Sequence, residues 1–253
     1  VYRTPEVFLR EMIDSVQKQT YTEWELCIAD ASPTGEKLRE ELGKLRGKKK
    51  KEAIMAVPEK ETELTALIRE YQIRDGRIRY QMLKENRSIA ENSNAALEMA
   101  TGDFVCLLDH DDLLEPDALY EVADKIVQDD RVDVIYTDED KINSKGTKHL
   151  TPNMKPDFNL DLLRSNNYIC HLFVVRRIIV EKVGGFRKEF DGAQDYDFIF
   201  RCTEEADRIA HVHKVLYHWR THEKSTSDNP DSKLYAFHAG KRAVEAHLQR
   251  MGV

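Results

Sequence analysis

Phe104-Val105-Cys106-Leu107-Leu108 is an unbroken run of apolar residues that ends directly in Asp109-His110-Asp111-Asp112. A strand with one wet face alternates apolar and polar side chains. A run without alternation suits a strand covered on both faces, as in a parallel sheet packed between helices. Such a sheet needs helices before and after each strand, and the flanking sequence provides them at the right spacing.

Thr4-Pro5 predicts a helix start, with Thr as cap and Pro at the first helical position. Phe8, Met12, Ile13 and Val16 then recur at helical spacing to about Lys18. Residues 24–29 form a predicted strand, stopped by Asp30-Ala31-Ser32-Pro33. Helices are expected over 36–45 and near 61–72. A strand over 78–83 leads through Asn86-Arg87-Ser88 into a helix carrying Ile89, Ala96, Leu97 and Met99. Thr101-Gly102 is the expected end of that helix, with Gly in the left-handed conformation. A helix over 116–127 and a strand over 132–136 complete a repeated strand–helix–strand pattern. This predicts an α/β fold with a Rossmann-like, doubly wound, mostly parallel central sheet in a single domain, residues 1–137 forming its nucleotide-binding half.

The rhythm loosens over 138–253, a less regular second half built against the first. Pro152 and Pro156 punctuate a polar stretch over 143–163, where loops and a short hairpin are expected. Strands over 168–175 and 209–219 and helices over 195–205 and 232–249 follow.

A net charge of -7 argues against a nucleic-acid partner. The basic run Arg46 to Lys51 is expected to be a solvated loop, the alternative being contact with an anionic surface or acceptor. Cys27, Cys106, Cys170 and Cys202 make no Cys-x-x-Cys pair and are expected to be buried free thiols of a reducing compartment. No apolar stretch approaches the ~18–20 residues that cross a bilayer, and no signal peptide is visible.

The three carboxylates after Leu108 lie where ligands bind in open α/β sheets, outside the carboxyl end of a strand. Carboxylates this close repel unless a cation or water offsets them. Mg²⁺ or Mn²⁺, held by one or two carboxylates and substrate phosphates, would do so. The alternative is a cluster at the start of the helix that Pro116 opens.

Several further segments, in chain order, resemble the family 2 glycosyltransferases of the GT-A fold, whose Asp-x-Asp motif corresponds to Asp109-His110-Asp111. Val1-Tyr2-Arg3-Thr4-Pro5 resembles the end of the family's first strand and the turn into its first helix. Ser15-Val16-Gln17-Lys18-Gln19-Thr20-Tyr21 with Trp24-Glu25-Leu26 resembles the next conserved run. Glu85-Asn86-Arg87-Ser88-Ile89-Ala90 through Ser93-Asn94-Ala95-Ala96 resembles a helix entry in which Ser88 stands where Gly is frequent. Gly192-Ala193-Gln194-Asp195-Tyr196-Asp197 resembles the later acidic motif, and Tyr217-His218-Trp219-Arg220-Thr221-His222, with Ser225 and Ser227, the closing one. The lysine-rich stretch and Asp30-Ala31, where paired acids are common, depart from the pattern.

The resemblance implies an inverting transfer from a nucleotide-diphosphate sugar, of UDP or dTDP type, to a hydroxyl of a glycan or lipid-linked acceptor. It is similar in this to enzymes that build bacterial surface polysaccharides at the inner face of the cell membrane. Asp195 is the expected general base, with Asp191 and Asp197 as substitutes. Asp111 and Asp109 are the expected metal ligands, joined by His222. Tyr2, Asp30, Asn94, Asp109 and Arg220 are expected on the donor, and Asp138 and Trp219 on the acceptor. Four of these have plainer alternatives: an Asx turn for Asp30, a structural amide for Asn94, a helix cap for Asp195 and a solvated loop for Asp138. The resemblance further implies that most of a first strand lies outside this sequence, as for a module of a longer protein. A non-catalytic nucleotide-sugar or glycan-binding domain and a sugar nucleotidyltransferase are the rival readings.

Overall fold

The computed structural model describes residues 1–32, 63–221 and 230–253. The expected helix over 36–45, the basic run at 46–51, and His222, Ser225 and Ser227 lie outside the described residues.

Helix α1 (Glu6–Gln17) buries Leu9, Met12, Ile13 and Val16, an i, i+3, i+4, i+7 stripe. Pro5 occupies its N-cap position and no side chain caps it, so Thr4 does not play the expected role. Strand β1 (Leu26–Asp30) leads to α2 (Glu63–Arg74) and then to β2 (Ile78–Met82), which pairs parallel to β1. The Ser88 hydroxyl accepts the Glu91 N–H and caps α3 (Ile89–Leu97). A glycine at that position would leave this donor unmet.

Gly102 is not in the left-handed region; helix α3 has ended by Leu97. The backbone at 101–102 is instead held by Glu25, whose carboxylate accepts the Thr101 and Gly102 N–H groups. Strand β3 (Phe104–Leu107) follows, then the short β4 (Leu113–Leu114) and α4 (Ala118–Gln128). Strand β5 (Val134–Ile142) turns back through β6 (His149–Asn153), the expected hairpin. After α5 (Leu160–Ser165) come β7 (Phe173–Arg176), α6 (Arg177–Val183), a 3₁₀ turn at Lys188–Phe190, α7 (Gln194–Glu205), β8 (Ile209–Arg220) and α8 (Pro230–Met251).

The α/β class is as expected, but the pairing is more mixed. The larger sheet runs β3-β7-β5-β8-β4, with β6 on the edge of β5. Only β5 and β8 pair parallel in it, because β7 inserts antiparallel between β3 and β5. Strand β5 also crosses the expected division at 137/138, so the two halves share one sheet.

Side chains alternate across this sheet between two cores. Val134 and Tyr136 of β5, Phe173 and Val175 of β7 and Val105 of β3 belong to one core, with Phe198 and Phe200 of α7. Ile135, Leu172 and Val174 face the other, with Leu9 and Ile13 of α1 and Ile68 of α2. Both faces are thus covered, which is why these strands carry apolar runs without alternation. Among the described residues no helix is long and apolar enough to cross a membrane.

Candidate active site

The acidic run emerges from β3 onto a shelf built by three other parts of the chain: the C-terminal part of β8, the turn before β7, and the start of α7. Asp109 is exposed, Asp111 half-buried and Asp112 only 1% exposed. Asp112 holds the loop to β8: its carboxylate accepts the Tyr217 hydroxyl at 2.6 Å and the Arg220 N–H at 2.7 Å. The Tyr217 hydroxyl in turn accepts the Asp109 N–H at 3.2 Å. Burial, then the neighbouring charges of Asp109 and Asp111, push the Asp112 carboxyl well above the usual carboxylate range.

This crowding of negative charge fits a hard divalent cation. One ligand atom from each of Asp109, Asp112 and His171 lies within 4.8 Å of the others. His110 Nδ1, 3.5 Å from an Asp111 oxygen, is buried with no hydrogen-bond partner. A site with both surplus carboxylate charge and an unmet imidazole nitrogen is one that a cation completes.

His171 was not singled out in the sequence. It comes from an irregular segment and is placed by tertiary contacts: stacked on Tyr217 at 4.6 Å and edge-on to Trp219 at 5.6 Å. The turn that carries it is tied down by Lys155, another residue the sequence did not mark. The Lys155 side chain is 1% exposed, and its ammonium donates to Glu139 Oε2 at 3.1 Å, to the Ile169 carbonyl at 2.7 Å and to the His171 carbonyl. Glu139 Oε2 also accepts the His171 N–H at 3.2 Å. A buried lysine among carbonyls has no periodicity for a sequence reading to detect.

Asp195 reaches the shelf from the first turn of α7, one residue inside the helix, while Ala193 holds the N-cap position. It is therefore not the helix cap. Its carboxylate accepts the Asn167 amide at 3.0 Å. Burial raises its proton affinity most; a protonated His171 and the Tyr196 N–H act to lower it, and the Asp109 charge raises it again. Asn167 stands on the same segment as His171, so its hydrogen bond ties Asp195 to the part of the chain that meets the acidic run. Asn167 Oδ1 is buried without a partner, an orphan acceptor beside this carboxylate. The two substitutes are otherwise engaged. Asp191 accepts the Ala90 N–H at the start of α3, and Asp197 is fully buried between Arg187 and Arg201.

Other expected contacts are corrected. Arg220 is not placed to meet a phosphate: it is fully buried over Phe8, donating to the Asp111 carbonyl at 2.6 Å, the Ser144 carbonyl at 3.0 Å and Glu11 at 2.7 Å. It braces the acidic loop from below. Asn94 has the structural role, its amide donating to the Phe186 carbonyl at 2.8 Å and accepting the Phe186 N–H at 2.7 Å. Asp138 is neither a sugar contact nor a solvated loop. It lies within β5, 1% exposed, accepting the Lys155 N–H at 2.8 Å and bonded to His211 at 2.9 Å. Asp30 forms the Asx turn, accepting the Ser32 N–H at 2.8 Å and the Thr65 and Tyr80 hydroxyls. Its carboxylate is 1% exposed and not open to a base. Tyr2 is exposed at the same strand end, where the Arg3 N–H meets Ser32. Trp219 is half-buried beside His171, with the Lys141 ammonium over its ring.

Residues 48–184, more than half of the chain, match Glycosyl transferase family 2. The chain is 33% identical over its whole length to the O-antigen biosynthesis protein RfbC of Myxococcus xanthus, of which it covers 18%. It spans about a quarter, or less, of the length of the curated relatives that resemble it at this level. Among solved structures, TarS of S. aureus in complex with UDP-GlcNAc superposes with a TM-score of 0.69 at 18% identity, covering 96% of this chain and 63% of TarS. The mannosyltransferase PcManGT of Pyrobaculum calidifontis, in complex with GDP-Man and Mn²⁺, superposes with a TM-score of 0.58 at 16% identity, covering 100% of this chain and 73% of PcManGT. Identities this low speak for the fold alone, which is of the GT-A type.

Proposed function

The chain belongs to glycosyl transferase family 2, and on that premise we propose that it is a metal-dependent, inverting glycosyltransferase acting on a nucleotide-diphosphate sugar. The observation that carries this reading is the convergence of the Asp109–Asp112 run, His171 and Asp195 on one shelf. Asp109 and Asp111 are the residues that would hold Mn²⁺ or Mg²⁺, with His171 and Asp112 each offering a ligand atom within 4.8 Å of one of Asp109. When bound, such an ion supplies positive charge to the diphosphate as it departs.

The protein's own residues do the rest. Asp195 takes the proton from an acceptor hydroxyl as its oxygen bonds to the anomeric carbon. The bond from that carbon to the diphosphate oxygen breaks in the same step, releasing nucleoside diphosphate. A single displacement with inversion, with Asp195 as the base, is what the family resemblance implies. Asn167 orients Asp195 through its amide and offers its unmet oxygen to the incoming hydroxyl. Trp219, beside His171, offers an apolar face to a sugar ring on the acceptor side. The similarity to RfbC supports a place in bacterial surface-polysaccharide synthesis, while the UDP- or dTDP-type donor and the glycan or lipid-linked acceptor are what the family resemblance implies.

The test is turnover with UDP- and dTDP-sugars, Mn²⁺ and a panel of glycan acceptors. Release of nucleoside diphosphate is expected, falling by about 10²–10⁴-fold in Asp195→Asn with nucleotide affinity retained. Release of pyrophosphate would instead identify a nucleotidyltransferase, and binding without turnover a non-catalytic domain.

A further inference from the structure

Among the described residues, three groups of histidine and carboxylate side chains bring one ligand atom each to within 4.8 Å of the others. Asp109, Asp112 and His171 belong to the site above. In the second group Asp140 is bonded to Nδ1 of His149 at 2.8 Å and of His218 at 2.6 Å, so ordinary hydrogen bonds account for it. The third group, Asp157, His211 and His213, is not accounted for in that way.

His211 and His213 stand two residues apart on β8, where its pairing with β5 shifts register, and their ring centroids lie 4.1 Å apart. The His211 side chain is fully buried, stacked on Tyr136 at 4.6 Å, with Nε2 2.9 Å from Asp138 Oδ1. A carboxylate there selects the tautomer with the proton on Nε2. Nδ1 is then left with a lone pair, and it is buried with no hydrogen-bond partner. Its nearest carboxylate oxygen, Asp157 Oδ1, is 3.6 Å away, and a lone pair and a carboxylate oxygen facing each other have nothing to share. The same Asp157 oxygen lies 3.2 Å from His213 Nε2.

A tetrahedral ion bound at about 2.1 Å from each ligand spaces those ligands about 3.4 Å apart. The two separations from Asp157 Oδ1, 3.2 and 3.6 Å, fall on either side of that spacing, and the two imidazole nitrogens lie within 4.8 Å of each other. A histidine that offers one nitrogen while a carboxylate holds the other is the usual arrangement behind a bound metal.

We propose that Asp157, His211 and His213 form a second divalent-metal site, separate from the donor site, with Asp138 orienting His211. Two imidazoles and one carboxylate suit Zn²⁺ or Co²⁺ better than Mg²⁺ or Mn²⁺. The bound ion would clip the segment between β6 and α5, which carries Asp157, onto β8. This inference does not depend on the proposed transferase activity.

The experiment is a Co²⁺ titration of the metal-free chain, following the visible absorption of tetrahedral Co²⁺ and the stoichiometry by calorimetry. Wild type is compared with His213→Ala, Asp157→Asn and Asp111→Asn. The His213 and Asp157 side chains are 65% and 81% exposed, so neither substitution removes core packing. The tetrahedral spectrum should appear in wild type and Asp111→Asn. In His213→Ala and Asp157→Asn, Co²⁺ affinity should fall at least tenfold while the folded circular-dichroism signal is unchanged. Unchanged Co²⁺ affinity in His213→Ala, or loss of all tetrahedral Co²⁺ in Asp111→Asn, would overturn the proposal.

Discussion

At Asp195, burial and the charge of Asp109 act in one direction, while His171 and the first-turn N–H groups act in the other; burial dominates, and the proton affinity is raised. A base with raised affinity is protonated, and so silent, at a pH where an ordinary aspartate is still ionised. The acid limb of kcat/KM should therefore lie above the ~3.9 of an unperturbed aspartyl group. A pH–rate profile that stays flat down to about 4 would assign the base elsewhere. Arg220 illustrates a different residue-level point. A fully buried guanidinium that donates to Glu11 and to carbonyls on two loops is structural, so Arg220→Met should cost on the order of 3 kcal/mol in denaturant unfolding. A variant that kept full stability and lost only donor affinity would restore the phosphate-contact reading.

Between elements, the α3 helix is seated on the segment before the 3₁₀ turn by one close contact. Asn94 exchanges two hydrogen bonds with Phe186, and a Cβ placed on Gly185 would meet Asn94 Oδ1 at 2.2 Å. Asn94→Ala should lose about 1 kcal/mol per hydrogen bond, and Gly185→Ala a comparable amount through overpacking. Because both act at one contact, the double variant should cost clearly less than their sum. Additive losses in a double-mutant cycle would show that Gly185 has another reason to lack a side chain. Contacts of this kind explain what could be read from the sequence and what could not. The covered strands β3 and β5 were legible because burial on both faces writes an apolar run directly into the chain. The carboxylates after β3 were legible because they follow such an element, and Asp195 at the start of α7 because its segment resembles the family's later acidic motif. Whether Asp138 and Arg220 point inward or outward is decided by the partners that β6 and α1 bring from elsewhere. Lys155 and His171 lie in a segment with no periodic signal, and only the folded chain shows what they hold.

For the molecule as a whole, one sheet separates two cores, and its carboxyl edge gathers residues from β3, β8, α7 and the turn before β7. The mixed pairing has a functional consequence. With β7 antiparallel between β3 and β5, the turn leading into β7 opens on the edge where β3 ends, and it delivers His171 and Asn167 there. Segments from both sides of position 137 therefore meet around Asp109 rather than in separate units. In the proposed function this edge holds a nucleoside diphosphate through a divalent ion at Asp109 and Asp111. Calorimetric titration of UDP and dTDP, with and without Mn²⁺, into wild type and Asp111→Asn tests it most directly. Mn²⁺-dependent binding in wild type that is lost in Asp111→Asn is the predicted result. Binding of equal strength without Mn²⁺, or unchanged binding in Asp111→Asn, would contradict it.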